Sequence, residues 1–208
     1  MNAIRISKPF LFLACLVPAI LLGWAAWQDA LGANPISEIT HITGDWTLRF
    51  VLITLAITPL RKLTGWNAVI RYRRMLGLFA FFYATLHFLT YLVLDQYFAW
   101  EFILKDIAKR PYITVGFLGF VLLIPLALTS TAGWIRRLGG KRWQQLHRLI
   151  YITAVAGIVH YWWLVKSDIS RPLAYGAVLG LLFAIRLWYT ARRSTAPSRA
   201  SRPIASNV

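Results

Sequence analysis

Charged residues are scarce in this chain, and acidic ones are scarcer still. Only 14% of the 208 residues are charged, and Asp and Glu number seven against 23 Lys and Arg. Soluble domains of this size rarely carry so little charge, and 58% of the residues are hydrophobic. The composition therefore predicts a membrane protein. The formal net charge of +16 is then better explained by membrane topology than by a nucleic-acid partner, which we do not expect.

Cysteine and the common catalytic motifs are also lacking. The single cysteine, Cys15, lies in the first apolar run, which excludes an internal disulfide and a metal site built from several thiolates. The chain contains no GxGxxG, no P-loop and no catalytic triad arrangement. No acidic residue lies within an apolar run, and this argues against a proton-coupled transporter.

Six apolar runs organise the chain. They cover residues 9–27, 46–60, 75–94, 112–130, 143–166 and 172–190. The second has 15 residues, or about 22 Å of helix, and is the shortest. We expect an all-α membrane protein with a cytoplasmic start at residues 1–8 and a six-transmembrane-helix bundle at 9–190. A disordered, basic cytoplasmic tail is expected at 191–208.

The charges between the runs support an even number of spans. All seven acids fall in the first, third and fifth connections, whereas 16 of the 23 basic residues fall on the opposite side. Because cytoplasmic loops are enriched in Lys and Arg, both termini are expected in the cytoplasm. The basic residues on that side are Arg5, Lys8, Arg61, Lys62, Arg71, Arg73, Arg74, Arg136, Arg137, Lys141, Arg142, Arg148, Arg192, Arg193, Arg199 and Arg202.

Histidines inside the spans are the candidates for chemistry, because ionisable side chains are costly there. His87 lies seven residues before the outer end of the third run at Leu94, about 10 Å deep at 1.5 Å per residue. His160 lies five residues before Val165 in the fifth run, about 8 Å deep by the same rise. Two imidazoles at one depth on facing helices predict the axial ligands of a b-type haem, with iron as the metal. His41, in a polar connection, is expected to be solvated.

His147 raises the question of a second haem. It lies 13 residues before His160, about 20 Å nearer the cytoplasm. The third run has Arg74 where a partner histidine would be needed, and a protonated guanidinium is a poor iron ligand. Arg73 and Arg74 are candidates to lie beside such a site. We therefore expect one haem at His87 and His160. For His147 both a weaker second site and a plain hydrogen bond across helices stay open.

The basic residues of the loops have a second possible role, which is to bind anions. Arg71, Arg73, Arg74, Lys141 or Arg142 could bind haem propionates or a flavin phosphate, although topology alone also explains them. A function of a different class is open as well. In it the chain is a haem-free membrane transporter or assembly scaffold whose histidines are structural or bind zinc.

Seven short segments resemble the MsrQ (YedZ) family, the haem-binding membrane subunit of the bacterial periplasmic protein-methionine-sulfoxide reductase system. The most specific is GKRWQQLH at residues 140–147, followed 13 residues later by His160 and Tyr161. The others are LGANP at 31–35, ITPL at 57–60, IRYRRMLGL at 70–78, ATLH at 84–87 and RPYITVG at 110–116. The resemblance extends roughly over residues 24–190.

The resemblance implies a member of the ferric-reductase-like transmembrane group in the bacterial inner membrane. It implies b-type haem bound through His87, His147 and His160, and use of FMN. Electrons would come from the quinone pool or a cytoplasmic flavin reductase. They would pass to a periplasmic, molybdopterin-containing subunit (MsrP-type) that reduces methionine sulfoxide in oxidised proteins, so the substrate chemistry would lie on that partner. Arg74 departs from the wider oxidase group, which has two histidines on each of the two helices.

Overall fold

The computed structural model describes residues 2–194, and that part of the chain is helical with no strand. The helices are α1 (Asn2–Trp27), α2 (Pro35–Thr64), α3 (Arg73–Leu89), α4 (Trp100–Lys109), α5 (Pro111–Leu128), α6 (Ala132–Leu138), α7 (Gly140–Leu146), α8 (Leu149–Leu164) and α9 (Ser170–Ser194). A 3₁₀ segment, Asn67–Tyr72, leads into α3, and a π-helical segment, Thr90–Asp95, extends it. The all-α expectation is confirmed for the described residues. The predicted tail is helical as far as Ser194, and residues 195–208 lie outside the described part.

Helix α2 begins earlier than the sequence suggested. A polar connection was expected up to residue 45, but the helix starts at Pro35 and runs for 30 residues. Its start is well specified: the Asn34 side chain accepts a hydrogen bond from the Ser37 N–H at 3.2 Å, and Pro35 occupies the first turn, where its missing N–H costs nothing. His41 was therefore wrongly placed in a loop. It lies on α2 with an exposed side chain.

The fifth apolar run is not one continuous helix. Helix α7 ends at Leu146, His147 forms its C-cap, and α8 begins at Leu149. The run was expected to form one span, and the structure divides it between α7 and α8. Because residues 147 and 148 form a turn between the two helices, the periodicity of one continuous helix does not give the orientation of His147.

Two helix pairs form the centre of the molecule: α2 packs chiefly on α3, and α5 packs chiefly on α8, with α3 and α5 joining the pairs. Their shared core is apolar and aromatic. The ring of Phe50 on α2 stacks on those of Phe79 and Tyr83 on α3, at centroid distances of 5.7 and 5.3 Å. Burial of such large rings supplies most of the favourable packing energy.

Four helical stretches in the described part are long and apolar enough to cross a membrane. They are Arg5–Trp27, Asn67–Asp95, Pro111–Leu128 and Ser170–Arg192. Helix α2 carries polar residues along its first turns, and α8 has 16 residues. Both α2 and α8 are packed against these stretches in the bundle. The structure thus supports a helical membrane protein.

Candidate functional site

The histidines at matching depth lie next to each other. His87 near the end of α3 and His160 near the end of α8 have ring centroids 6.1 Å apart, with their planes at 81°. A metal held between two imidazole nitrogens at about 2 Å each, with about 1 Å from nitrogen to ring centre, would separate the centroids by about 6 Å. The observed spacing therefore fits a single metal ion between the two rings.

Each of the two rings uses its Nδ1 atom for a backbone carbonyl. His87 Nδ1 lies 3.0 Å from the Thr40 oxygen on α2, and His160 Nδ1 lies 2.6 Å from the Tyr112 oxygen on α5. Because a carbonyl oxygen only accepts, both Nδ1 atoms must carry the proton. The Nε2 lone pairs are then the ones left for a metal, and this carbonyl anchoring is typical of metal-ligating histidines.

A cavity of about 600 Å³ opens beside the two rings. Its walls come from α2, α3, α4, α5 and α8 and are mostly apolar, and its size falls in the range of cofactor pockets. Side chains and backbone that form the wall include Leu48, Val51, Phe88, Phe117, Phe120 and Gly157. An apolar slot between facing helices, bounded by two imidazoles, can hold a flat hydrophobic cofactor.

Polar and charged groups gather where the cavity meets the acidic side of the bundle. Asp45 on α2 forms ion pairs with Arg49 and Arg171, both at 3.6 Å, and Arg110 pairs with Asp106 at 3.4 Å. The Tyr112 hydroxyl and the Asp106 carboxylate raise the pKa of Arg110 above its ordinary value. Arg110 therefore stays positively charged at the cavity mouth. His41 also lies on this rim.

His147 lies in a different environment from the other two histidines. Its Nε2 atom is 3.1 Å from the Thr129 hydroxyl, and its ring stacks on Trp143 with centroids 3.9 Å apart. The Thr129 hydroxyl gives its own proton to the Pro125 carbonyl at 2.6 Å, so it must accept from Nε2. This contact across helices uses the nitrogen that a haem iron would usually take.

The two candidate arginines, Arg73 and Arg74, differ in burial. Arg73 is half-buried and close enough to His147 to act on it electrostatically, whereas Arg74 is exposed. Sequence reasoning missed the groups that hold the imidazoles, namely the carbonyls of Thr40 and Tyr112. Backbone carbonyls have no signature in sequence, and Thr40 had been assigned to a loop.

Comparisons with known proteins identify relatives of this chain. Residues 43–158 match the family described as "Ferric reductase like transmembrane component". A protein from Herminiimonas arsenicoxydans, named "Protein-methionine-sulfoxide reductase heme-binding subunit MsrQ", is 55% identical over 194 residues, covering 92% of this chain and 89% of its own. A protein of the same name from Xanthomonas euvesicatoria pv. vesicatoria is 53% identical over 209 residues, covering 94% and 95%.

Proposed function

Because the chain belongs to the MsrQ family of ferric-reductase-like transmembrane proteins, we propose that it is a haem b electron-transfer subunit of a protein-methionine-sulfoxide reductase. The observation that carries the proposal is the pair His87 and His160, with ring centroids 6.1 Å apart and both Nδ1 atoms anchored. Iron held by two imidazoles exchanges single electrons with neighbouring redox partners, and the protein tunes its potential.

In this function the residues of the chain bind and orient the cofactor and keep water from it. His87 and His160 would hold the haem iron, and the apolar walls from α2, α3, α5 and α8 would enclose the porphyrin. The carbonyls of Thr40 and Tyr112 keep the imidazoles in the tautomer that ligates through Nε2. No catalytic residue for methionine sulfoxide is assigned to this chain, because that chemistry belongs to the partner.

The route of electrons follows from the positions of the histidines. The haem site lies toward the acidic, periplasmic side, where a molybdopterin-containing reductase subunit would dock. Electrons would enter from the opposite side, from the quinone pool or a cytoplasmic flavin reductase. Arg73 lies near His147 there, and a phosphate of FMN is an anion that such basic residues attract. The hydrogen bond from His147 to Thr129 favours one haem over two.

The proposal includes a six-span topology in the bacterial inner membrane with both termini in the cytoplasm. The distribution of acids and bases supports it, because every acid lies in a connection on one side. Helices α2 and α8 then join the four more apolar spans, and α7 leads into α8 from the cytoplasmic side. Residues 9–190 form the transmembrane domain.

Absorption spectroscopy of the purified protein tests the central claim. We expect a Soret band that shifts on reduction with dithionite. His87→Ala and His160→Ala should each abolish it, and His147→Ala should keep most of it as the matched control. A full Soret band in both axial variants would refute the assignment, and loss of half the band in His147→Ala would indicate a second haem.

The haem-free alternative, a transporter or scaffold with structural or zinc-binding histidines, gives different results. Edge-to-face packing of the two imidazoles also occurs at a centroid distance of 6.1 Å. Zinc sites, however, usually take at least three protein ligands, and the described residues contain no cluster of three His, Cys, Asp or Glu side chains. Colourless protein that contains stoichiometric zinc would favour this alternative.

A further inference from the structure

The imidazole of His87 is held by two residues of α2 that lie four positions apart. Thr40 supplies the carbonyl that accepts the Nδ1 proton, at 3.0 Å. Gly44 lies against the same ring: a Cβ atom on Gly44 would be 3.1 Å from Cε1 and 3.2 Å from Nδ1. These separations are tighter than ordinary van der Waals contact, so an added methyl group would push the ring by a few tenths of an ångström.

The same arrangement recurs at the second ring. Tyr112 of α5 supplies the carbonyl for Nδ1 of His160 at 2.6 Å, and Gly116, again four positions later, lies against that imidazole. A Cβ atom on Gly116 would be 2.6 Å from Nδ1 and 2.9 Å from Cε1. At such distances an alanine could not be added unless the ring or the helix moved.

Helix geometry explains why the spacing is four. In an α-helix the carbonyl of residue i points at the N–H of residue i+4, so that residue sits directly above the carbonyl oxygen. An imidazole that reaches the same oxygen must pass over the backbone of residue i+4. Glycine leaves this approach open, whereas the Cβ atom of any other residue would crowd the ring.

We propose that Gly44 and Gly116 are positioning residues for the haem ligands, each keeping open the path by which one imidazole donates its Nδ1 proton to a helix carbonyl. This inference rests on the proposed haem function. The two anchors fix the rings near perpendicular, at 81°, and their hydrogen bonds raise the basicity of the ligating nitrogens. More basic ligands stabilise ferric iron, so the two glycines hold the potential of the haem low.

The test uses single glycine-to-alanine substitutions in the full-length protein with its haem. Gly116→Ala should perturb the site most and Gly44→Ala less, following the two degrees of overlap. Gly180→Ala in α9 is the open control, since nothing lies within 4 Å of its Cβ position. Gly77→Ala in α3 is the packed control, because its Cβ would meet only the Thr54 methyl group, at an ordinary 3.6 Å.

Three measurements distinguish positioning from general destabilisation. Haem affinity should fall by about 10- to 100-fold in Gly116→Ala, the range found when an outer hydrogen bond to a ligand is lost. The low-spin electron paramagnetic resonance signal should change from the highly anisotropic form, given by perpendicular imidazoles, toward a rhombic form. The midpoint potential should move to a more positive value, since the ligands lose basicity. Gly44→Ala should move all three in the same direction by less.

The outcomes separate this inference from the proposed function. Wild-type protein without haem would defeat the proposed function itself. Haem-loaded protein whose Gly116→Ala and Gly44→Ala variants keep the wild-type resonance signal and potential would overturn the positioning role alone. Equal effects in Gly180→Ala or Gly77→Ala would do the same, because they would show a general response of the fold. If Gly116→Ala does not accumulate in membranes, the resonance signal and the potential of Gly44→Ala test the positioning role.

Discussion

The guanidinium of Arg186 on α9 donates a hydrogen bond to the backbone carbonyl of Leu55 on α2. That carbonyl would ordinarily receive the N–H of residue 59, but residue 59 is a proline inside α2 and has no N–H to give. Arg186 thus fills a gap that Pro59 creates. The same guanidinium donates to the Tyr151 hydroxyl at 3.1 Å, which ties α9 to α8 as well.

A double-mutant cycle on Arg186 and Pro59 tests this relationship. Arg186→Leu leaves the Leu55 carbonyl without its donor, whereas Pro59→Ala gives that carbonyl a helical N–H. We expect Arg186→Leu to cost about 1 kcal/mol more in the wild-type background than in the Pro59→Ala background. Thermal unfolding in detergent measures the cost of Arg186→Leu in each of the two backgrounds. Strictly additive effects would show that the two residues do not act on the same carbonyl.

The Tyr83 hydroxyl lies within the hydrogen-bond ladder of α1. It donates to the Cys15 carbonyl at 2.8 Å and accepts from the Ala19 N–H at 3.2 Å, two groups that would otherwise bond to each other. Pro18 lies in the same turn, where a helix is already prone to bend. Tyr83 is fully buried, so its hydroxyl is the anchor of α1 on α3.

Tyr83→Phe should therefore weaken the docking of α1. It removes a hydroxyl that bonds to two backbone groups of α1, and because those two groups can then bond to each other, we expect a loss of about 0.5–1.5 kcal/mol in the free energy of unfolding. Thermal unfolding followed by tryptophan fluorescence provides the measurement. The matched control is Tyr97→Phe, whose side chain is 75% exposed. Equal melting temperatures for the two variants would contradict the anchoring role.

The ion pairs around Asp45, by contrast, predict that replacing Asp45 has only a small effect on stability. Asp45 forms ion pairs with Arg49 and Arg171 at 3.6 Å each, and the two arginine side chains are 43% and 70% exposed. Pairs this exposed contribute at most about 1 kcal/mol, and salt screens them. Asp45→Asn should lower the unfolding temperature slightly at low salt and not at all in 1 M salt, an ionic strength that reduces the screening length to about 3 Å. A large loss that persists in high salt would point to a role beyond this ion pair.

The similar depth of His87 and His160 could be predicted from sequence because depth depends on helical rise alone, whereas their contact also depends on how the helices pack. Counting residues from the ends of two apolar runs placed both imidazoles at similar depth, and the rings lie 6.1 Å apart. Their role as iron ligands stays a prediction. The all-helical fold was equally accessible, since five of the six apolar runs have 19 or more residues and are long enough to cross a bilayer as helices.

Other features depend on contacts that a single sequence does not display. The start of α2 at Pro35 was missed because polar residues occupy its first turns, although the Asn34 cap was a usable signal. The helix interruption at His147 is accompanied by tertiary contacts, including the bond from the Trp143 indole Nε1–H to the Thr129 carbonyl at 2.9 Å. The anchoring of each imidazole involves a carbonyl on another helix, 47 or 48 residues away. Residue types alone carry no information about such partners.

The last prediction concerns membrane topology, because the charge distribution predicts the side of the membrane on which each connection lies. The link between α8 and α9 contains the exposed Ser167, and the start of α7 contains the exposed Lys141. The native thiol of Cys15 is buried, with 4% exposure, so Cys15→Ala provides a background without cysteine at small cost.

In that background, Ser167→Cys should react with a membrane-impermeant maleimide from the periplasmic side of intact cells. Lys141→Cys should react only after the inner membrane is permeabilised, because a basic connection stays in the cytoplasm. Both side chains are exposed in the structure, so a difference in labelling between the two variants reflects the side of the membrane and not burial within the protein. Labelling of both from the same side would require an even number of crossings between residues 141 and 167. It would then remove α8 from the set of spans and separate His160 from the periplasmic half of the membrane.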